Sequence, residues 1–218
     1  MEKKYLRDYQ PPAYQVEQTI LYFKLDADET VVKATYHMKK NTNMDLPLVL
    51  DGEAMRLNLL RINGVVLPEE DYTVTDKHLT ILKQLEALFV LECEVVISPK
   101  DNTMLSGLYV SGDCLCTQCE ATGFRRIVYS LDRPDVLSTY QVTLEADVSK
   151  YPIILANGDC VRTEALPNNR LLKTFVDPSP KPCYLFALVA GEFNERYSSY
   201  VSSKGREHKL YVYLPKVY

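Results

Sequence analysis

The residues with the most chemistry in this chain stand close together. Cys114, Cys116 and Cys119 follow one another at short spacing, with Gln118 and Glu120 interleaved. Three thiols can serve a metal, a redox couple, or packing alone. Structural zinc takes about four ligands in a tetrahedron, so a fourth would have to come from Cys93, Cys160, Cys183, His37, His78 or His208. None of these forms a second close pair, which weakens the metal reading; a thiolate-metal protein built on the three cysteines stays as one alternative. Cys116-x-x-Cys119 is not a thioredoxin-type motif in context, because no strand–helix–strand pattern surrounds it. All six cysteines read best as small buried hydrophobes. Glu120 falls in a loop-like stretch rich in Gly, Ser and Asp. On its own it reads as an exposed carboxylate or as a partner of Arg125 or Arg126. His37 reads as solvent-facing on a strand, and His78 and His208 lie beside lysines and turns. There is no HExxH, GxSxG, P-loop or GxGxxG. Residue types alone therefore assemble no complete catalytic set.

The elements that must hold these residues are strands. In "TILYFKLDADETVVKATYHMKK", Leu21, Phe23 and Leu25 alternate with Ile20, Tyr22 and Lys24, and Val32, Ala34, Tyr36 and Met38 share one face after a turn at "LDADET". "LFVLECEVVI" puts Phe89, Leu91, Cys93, Val95 and Ile97 on one side, and "TYQVTLEADV" does the same with Val142, Leu144 and Ala146. Asn63-Gly64 and Asn157-Gly158 each predict a two-residue hairpin turn. "CYLFALVAGEF" reads as one strand covered on both faces, preceded by a Pro-rich patch at 177–183 that straightens the chain. A last strand-turn-strand pattern surrounds Gly205. Sixteen tyrosines and no tryptophan suit sheets with one wet and one dry face. No long amphipathic helix, internal repeat or low-complexity segment is present.

The 218 residues suit one large β domain or two smaller ones. With 25 basic and 29 acidic residues the net charge is -4, and no Lys/Arg run occurs. We expect no nucleic-acid partner and no membrane surface. The charged start of the chain has no apolar core of a leader, and no apolar run is long enough to span a bilayer. The expectation is a cytoplasmic protein with free thiols.

Longer stretches carry a resemblance. "NTMLSGLYVSGDCLCTQCEATGFRRIVYSLDRPDVLSTYQVTLEAD", "YPIILANGD" and "PKPCYLFALVAGEF" closely resemble the N-terminal part of the bacterial aminopeptidase N family, zinc-dependent alanyl aminopeptidases of the gluzincin class. The likeness runs from about Arg7 to about Tyr213. It implies an all-β, saddle-shaped, multi-sheet β-sandwich-like N-terminal domain over 1–193. Residues 194–218 would be the opening strands of a catalytic domain. That family's HExxH and GAMEN motifs would lie beyond residue 218, so zinc belongs to the full-length enzyme and none is expected on this chain, which alone would be inactive. The resemblance maps two substrate-binding residues here. Glu120 matches a carboxylate that binds the substrate's free α-ammonium, and Gln118 matches a side chain lining the pocket for the first residue. The implied partners are peptides with a free N-terminus and the missing catalytic domain. Asp132-Arg133-Pro134-Asp135 reads as a turn, Arg125 and Arg126 as partners for domain-contact carboxylates, and Gly107 and Tyr109 as loop architecture beneath the rim. Composition and strand count fit equally a free-standing β-sandwich binding module that grips a ligand with exposed tyrosines.

Overall fold

The computed structural model describes residues 5–41 and 46–215, with the backbone alone at Pro215. Strands dominate, joined by four single-turn 3-10 segments. In chain order they are β1 (Tyr14–Lys24), β2 (Thr30–Lys40), β3 (Leu48–Asp51), β4 (Arg56–Ile62), β5 (Val65–Val66), β6 (Tyr72–Val74), β7 (His78–Ile81), β8 (Leu88–Ile97) and β9 (Gly107–Ser111). After these come β10 (Cys114–Gln118), β11 (Ser138–Asp147), β12 (Ile153–Ala156), β13 (Asp159–Leu166), β14 (Arg170–Lys181), β15 (Leu188–Gly191), β16 (Phe193–Val201) and β17 (Glu207–Pro215).

Four sheets result. Eight strands run in the order β13-β14-β11-β1-β2-β8-β4-β5, four as β12-β15-β10-β9, three as β3-β7-β6, and β16 pairs with β17. The alternation in the sequence is what builds the large sheet. Leu21, Ala34 and Cys93 meet across β1, β2 and β8, and Leu21 also meets Val142 of β11. All four are buried, so one face of the sheet is dry across its middle. The β1–β11 pairing is parallel. A parallel neighbour cannot be reached by a tight turn; the intervening chain supplies β2, β8, β4 and β5 of the large sheet, the whole three-stranded sheet, and β9 and β10 of the four-stranded one. Between β1 and β2, Asp26 closes the expected turn by accepting from the backbone N–H groups of Asp28 and Glu29.

The dry face carries the smaller elements. Phe23 stacks on Phe186 at 5.9 Å between ring centroids, and Phe186 meets Phe124 edge-on at 5.4 Å. Side chains of this size contribute about 1.5–3 kcal/mol each when fully buried. Phe186 thereby locks the segment that follows Glu120 onto the main sheet. Tyr36 adds a buried hydrogen bond, its hydroxyl donating to the Tyr129 carbonyl at 2.9 Å.

Two segments differ from the sequence reading, and so do three of the six cysteines, Cys114 and Cys116 being half-buried and Cys160 exposed. Asn63-Gly64 makes the expected hairpin, both residues at positive φ between Ile62 and its partner Val65. Asn157-Gly158 does not. It carries the chain from β12 in the four-stranded sheet to β13 at the edge of the large one. Gly158 sits at φ +87 against the Val176 carbonyl, and the Asn157 side chain stands in for a strand neighbour. Its amide donates to the Leu185 carbonyl at 3.2 Å and accepts from the Ala187 N–H at 2.6 Å. "CYLFALVAGEF" is likewise not one strand. Cys183–Leu185 is a 3-10 turn, Leu185 is exposed, and the strand spans only Leu188–Gly191. The turn is what swings Phe186 inward. Cys160 is exposed rather than buried, because β13 is an edge strand with almost no cover.

Candidate functional site

The stretch expected to be a loop is mostly a hairpin. β9 and β10 pair from Ser111–Cys114 to Gly107–Gln118 around Gly112. Alternation along β10 sets the thiols apart: Cys114, Cys116 and Gln118 point one way, Leu115 and Cys119 the other, and the latter two are buried. Cys114 and Cys116 are half-buried. The thiols thus fail to converge, and among the described residues no group of three or more His, Cys, Asp or Glu is placed to hold a metal. Burial, reinforced by the charge of Asp132, pushes the Cys119 thiol up to about 12, so it stays protonated at neutral pH. The cysteines here do not fit a zinc site. Thr117 binds β10 to β15 through its hydroxyl, which accepts from the Leu188 N–H at 2.9 Å.

Glu120 lies two residues past the end of the strand, in a turn anchored at both ends. Cys119 is its buried foot, and the Gly123 N–H donates to the Cys119 carbonyl at 2.8 Å. The Gln118 amide donates to the Glu120 carbonyl at 3.2 Å, and the Glu120–Ala121 peptide is cis. Gly123 permits this closure: a Cβ there would stand 2.4 Å from the Gln118 carbonyl oxygen and 2.7 Å from Ser106 Oγ. Gln118 and Glu120 are both exposed. Among the described residues no hydrogen bond or ion pair engages the Glu120 carboxylate.

The arginines that might have neutralised Glu120 are engaged elsewhere in the same domain. Arg125 reaches Asp132 at 2.9 Å and Asp51 at 3.2 Å, and Arg126 reaches Glu53 at 2.7 Å. These are internal partners, whereas the sequence suggested carboxylates at a domain contact. Asp132 is buried and also accepts from the Arg125 backbone N–H at 3.2 Å and the Cys183 thiol at 3.1 Å. Burial, then the nearby Asp132 charge, drives the Cys183 thiol well above its ordinary value. Arg133 forks onto Asp135 at 2.8 and 2.7 Å in the expected turn. Gly107 and Tyr109 are strand residues of β9, and Gly107 sits opposite Gln118 at φ +80. His37 is half-buried between the inward Tyr36 and Met38, His78 lies 3.8 Å from Asp51, and His208 stacks on Tyr200. None of these contacts involves Glu120. Sequence reasoning missed Asp51 and Glu53, which lie more than sixty positions before Glu120 and have no motif around them.

A groove of about 900 Å³ opens beside the turn, lined among others by Tyr9, Asp51, His78, Thr122 and Asp135. Thr122 borders it, whereas Gln118 and Glu120 do not line it. The arrangement offers an amide and a carboxylate on a rigid edge, open to solvent on the other side. A carboxylate so exposed holds a cation weakly, by about 0–1 kcal/mol. Strong binding there requires a second surface to exclude water.

Comparison with known proteins bears on that second surface. A family profile described as the peptidase M1 N-terminal domain matches residues 21–185. Aminopeptidase N of Escherichia coli (strain K12) is 43% identical over 217 residues, covering 99% of this chain and 24% of that protein. Aminopeptidase N of Caulobacter vibrioides is 44% identical over 209 residues, covering 96% and 24%. Among solved structures, Legionella pneumophila aminopeptidase A in complex with aspartic acid superposes with a TM-score of 0.89 at 35% identity, over 97% of this chain and 25% of that one. A variant of the M1 zinc metallopeptidase of Deinococcus radiodurans, bound to a Tyr-Ser-Ala substrate, shares the fold with a TM-score of 0.76 at 16% identity, over 91% and 47%. The chain spans about a quarter of the length of the curated relatives it matches.

Proposed function

The chain belongs to the peptidase M1 family as its N-terminal domain, and on that premise we propose that it supplies the substrate-amine half of a zinc aminopeptidase's active site. In this reading Glu120 binds the free α-ammonium of a peptide, and Gln118 lines the pocket for the first residue. Residues 1–193 form the supporting domain, and residues 194–218 open the catalytic domain, which completes the site. The complete polypeptide holds its zinc on residues outside this chain and works in the cytoplasm, a setting that suits six free thiols. The chain alone is inactive.

The observation that carries this reading is the carboxylate itself: exposed, unengaged among the described residues, and set on a turn with a buried foot. An ammonium meeting it makes a charge-assisted hydrogen bond of about 1.5–3 kcal/mol. Covering the same carboxylate with the middle of a peptide leaves it desolvated and unpaired, which costs about 3–5 kcal/mol. The site therefore selects chain ends largely by rejecting chain middles.

In the complete enzyme, Glu120→Ala should raise KM for alanyl-p-nitroanilide and lower kcat/KM by at least about tenfold. Kinetics equal to the parent enzyme would remove Glu120 from the site. Hydrolysis of the same substrate by the 218-residue chain alone would overturn the division of labour.

A further inference from the structure

We propose that the Glu53–Arg126 ion pair positions the Gln118–Gly123 turn, and so determines where Glu120 meets its cation. The functional part of this proposal rests on the reading of Glu120 above. The structural part does not.

Three observations converge on Arg126. Its backbone continues the turn, its N–H donating to the Gly123 carbonyl at 3.0 Å. Its Cβ lies directly under Gly107, where an added Cβ would come within 2.7 Å, and Gly107 is the strand partner of Gln118. Its guanidinium donates to Glu53 at 2.7 Å, with both side chains about three-quarters or more removed from water. Arg126 thus touches the turn from behind and the strand from below, and one carboxylate fixes its far end.

Packing alone does not hold it there. One side of Arg126 faces a cavity of about 150 Å³ with a mixed lining, polar at Ser98, Asp101 and Asn102 and apolar at Ile97, Met104 and Leu108. A side chain with empty space beside it has other rotamers to occupy, and the ion pair selects one. Glu53 is itself well fixed. Its N–H donates to the Arg125 carbonyl at 2.9 Å, next to the paired bridge between Asp51 and Ser130. The link therefore runs from the three-stranded sheet, through Glu53 and Arg126, to the rim of the four-stranded one.

Two measurements test the proposal. In the 218-residue chain, hydrogen exchange of the Gly123 N–H reports closure of the turn. Glu53→Gln should speed it roughly fivefold while leaving β1 and β2 amides unchanged. In the complete enzyme the same change should raise KM for alanyl-p-nitroanilide roughly fivefold, with kcat within about twofold. Pairing Glu53→Arg with Arg126→Glu should restore much of the loss, which a merely structural defect would not allow. In a Glu120→Ala background, Glu53→Gln should add nothing further to KM.

If Glu120→Ala raises KM but Glu53→Gln does not, the positioning role is wrong and the amine-binding role stands. If Glu120→Ala changes nothing, the amine-binding role is wrong, and the exchange rate alone decides whether the pair holds the turn. Unchanged Gly123 exchange overturns the proposal in either case. Glu53→Asp, which keeps the charge with a shorter reach, serves if Glu53→Gln does not fold, and should show a smaller rise of about twofold.

Discussion

Asp135 illustrates how much a single side chain can tie together. The Arg133 guanidinium grips both its oxygens, the Tyr9 hydroxyl donates to it at 2.9 Å, and Arg133 also donates to the Gln10 carbonyl at 2.9 Å. The hydrogen bonds from Arg133 hold the Asp135 carboxyl below its ordinary value, against the opposing effect of partial burial. A depressed value in the folded state means the contribution is fully present above about pH 3.9, the unfolded value, and is lost as pH falls through the lower folded one. Denaturation midpoints of the chain should therefore drop on acidification below about pH 4, and Asp135→Asn should make that drop shallower. Parallel pH profiles for the two proteins would refute the assignment. The turn itself was legible from Asp, Arg and Pro in succession. Its attachment to Tyr9 and Gln10 was not, because nothing local to residue 133 encodes a partner so distant in the chain.

Elements show the same split between local and distant causes. Asn-Gly occurs twice, and both glycines adopt positive φ as the dipeptide predicts. At 63–64 the flanking strands pair with each other; at 157–158 they belong to different sheets. The dipeptide sets a backbone conformation and leaves open which strand comes next. Gly64→Ala meets nothing within 4 Å, so it should cost only the conformational penalty, about 1 kcal/mol. Gly158→Ala would place its Cβ 2.3 Å from the Val176 carbonyl oxygen and should cost about 3 kcal/mol or more by urea denaturation. Equal losses would mean that the close approach at Gly158 relaxes. "CYLFALVAGEF" was misread for a related reason: a run of apolar residues looks alike whether it is one strand or a turn followed by a short one.

At the scale of the whole molecule, the ribbon of β16 and β17 stands apart. Its residues are nearly all exposed, including Tyr197, Tyr200, Leu210, Tyr211 and Leu214, and among the described residues its two strands pair only with each other. A lone two-stranded ribbon is marginal in water, and so much open apolar surface suits a covering neighbour. Limited proteolysis of the chain should cut first within 193–215, and a chain ending at residue 192 should keep its melting temperature within about 2 °C. A large fall would make the ribbon part of the core domain. By itself the sequence determined the β class, the dry faces of β1, β2, β8 and β11, and the family likeness that singled out Gln118 and Glu120. The class and the dry faces follow from periodicity and residue type, which act over a few neighbours; the two site residues come from the resemblance alone. Only the tertiary structure decided that Arg125 and Arg126 belong to Asp51, Asp132 and Glu53, that the thiols diverge, and that the Glu120 carboxylate has no partner among the described residues. Ion pairs and sheet order are made between residues far apart in the chain, where the folded geometry selects one partner among several of the same charge.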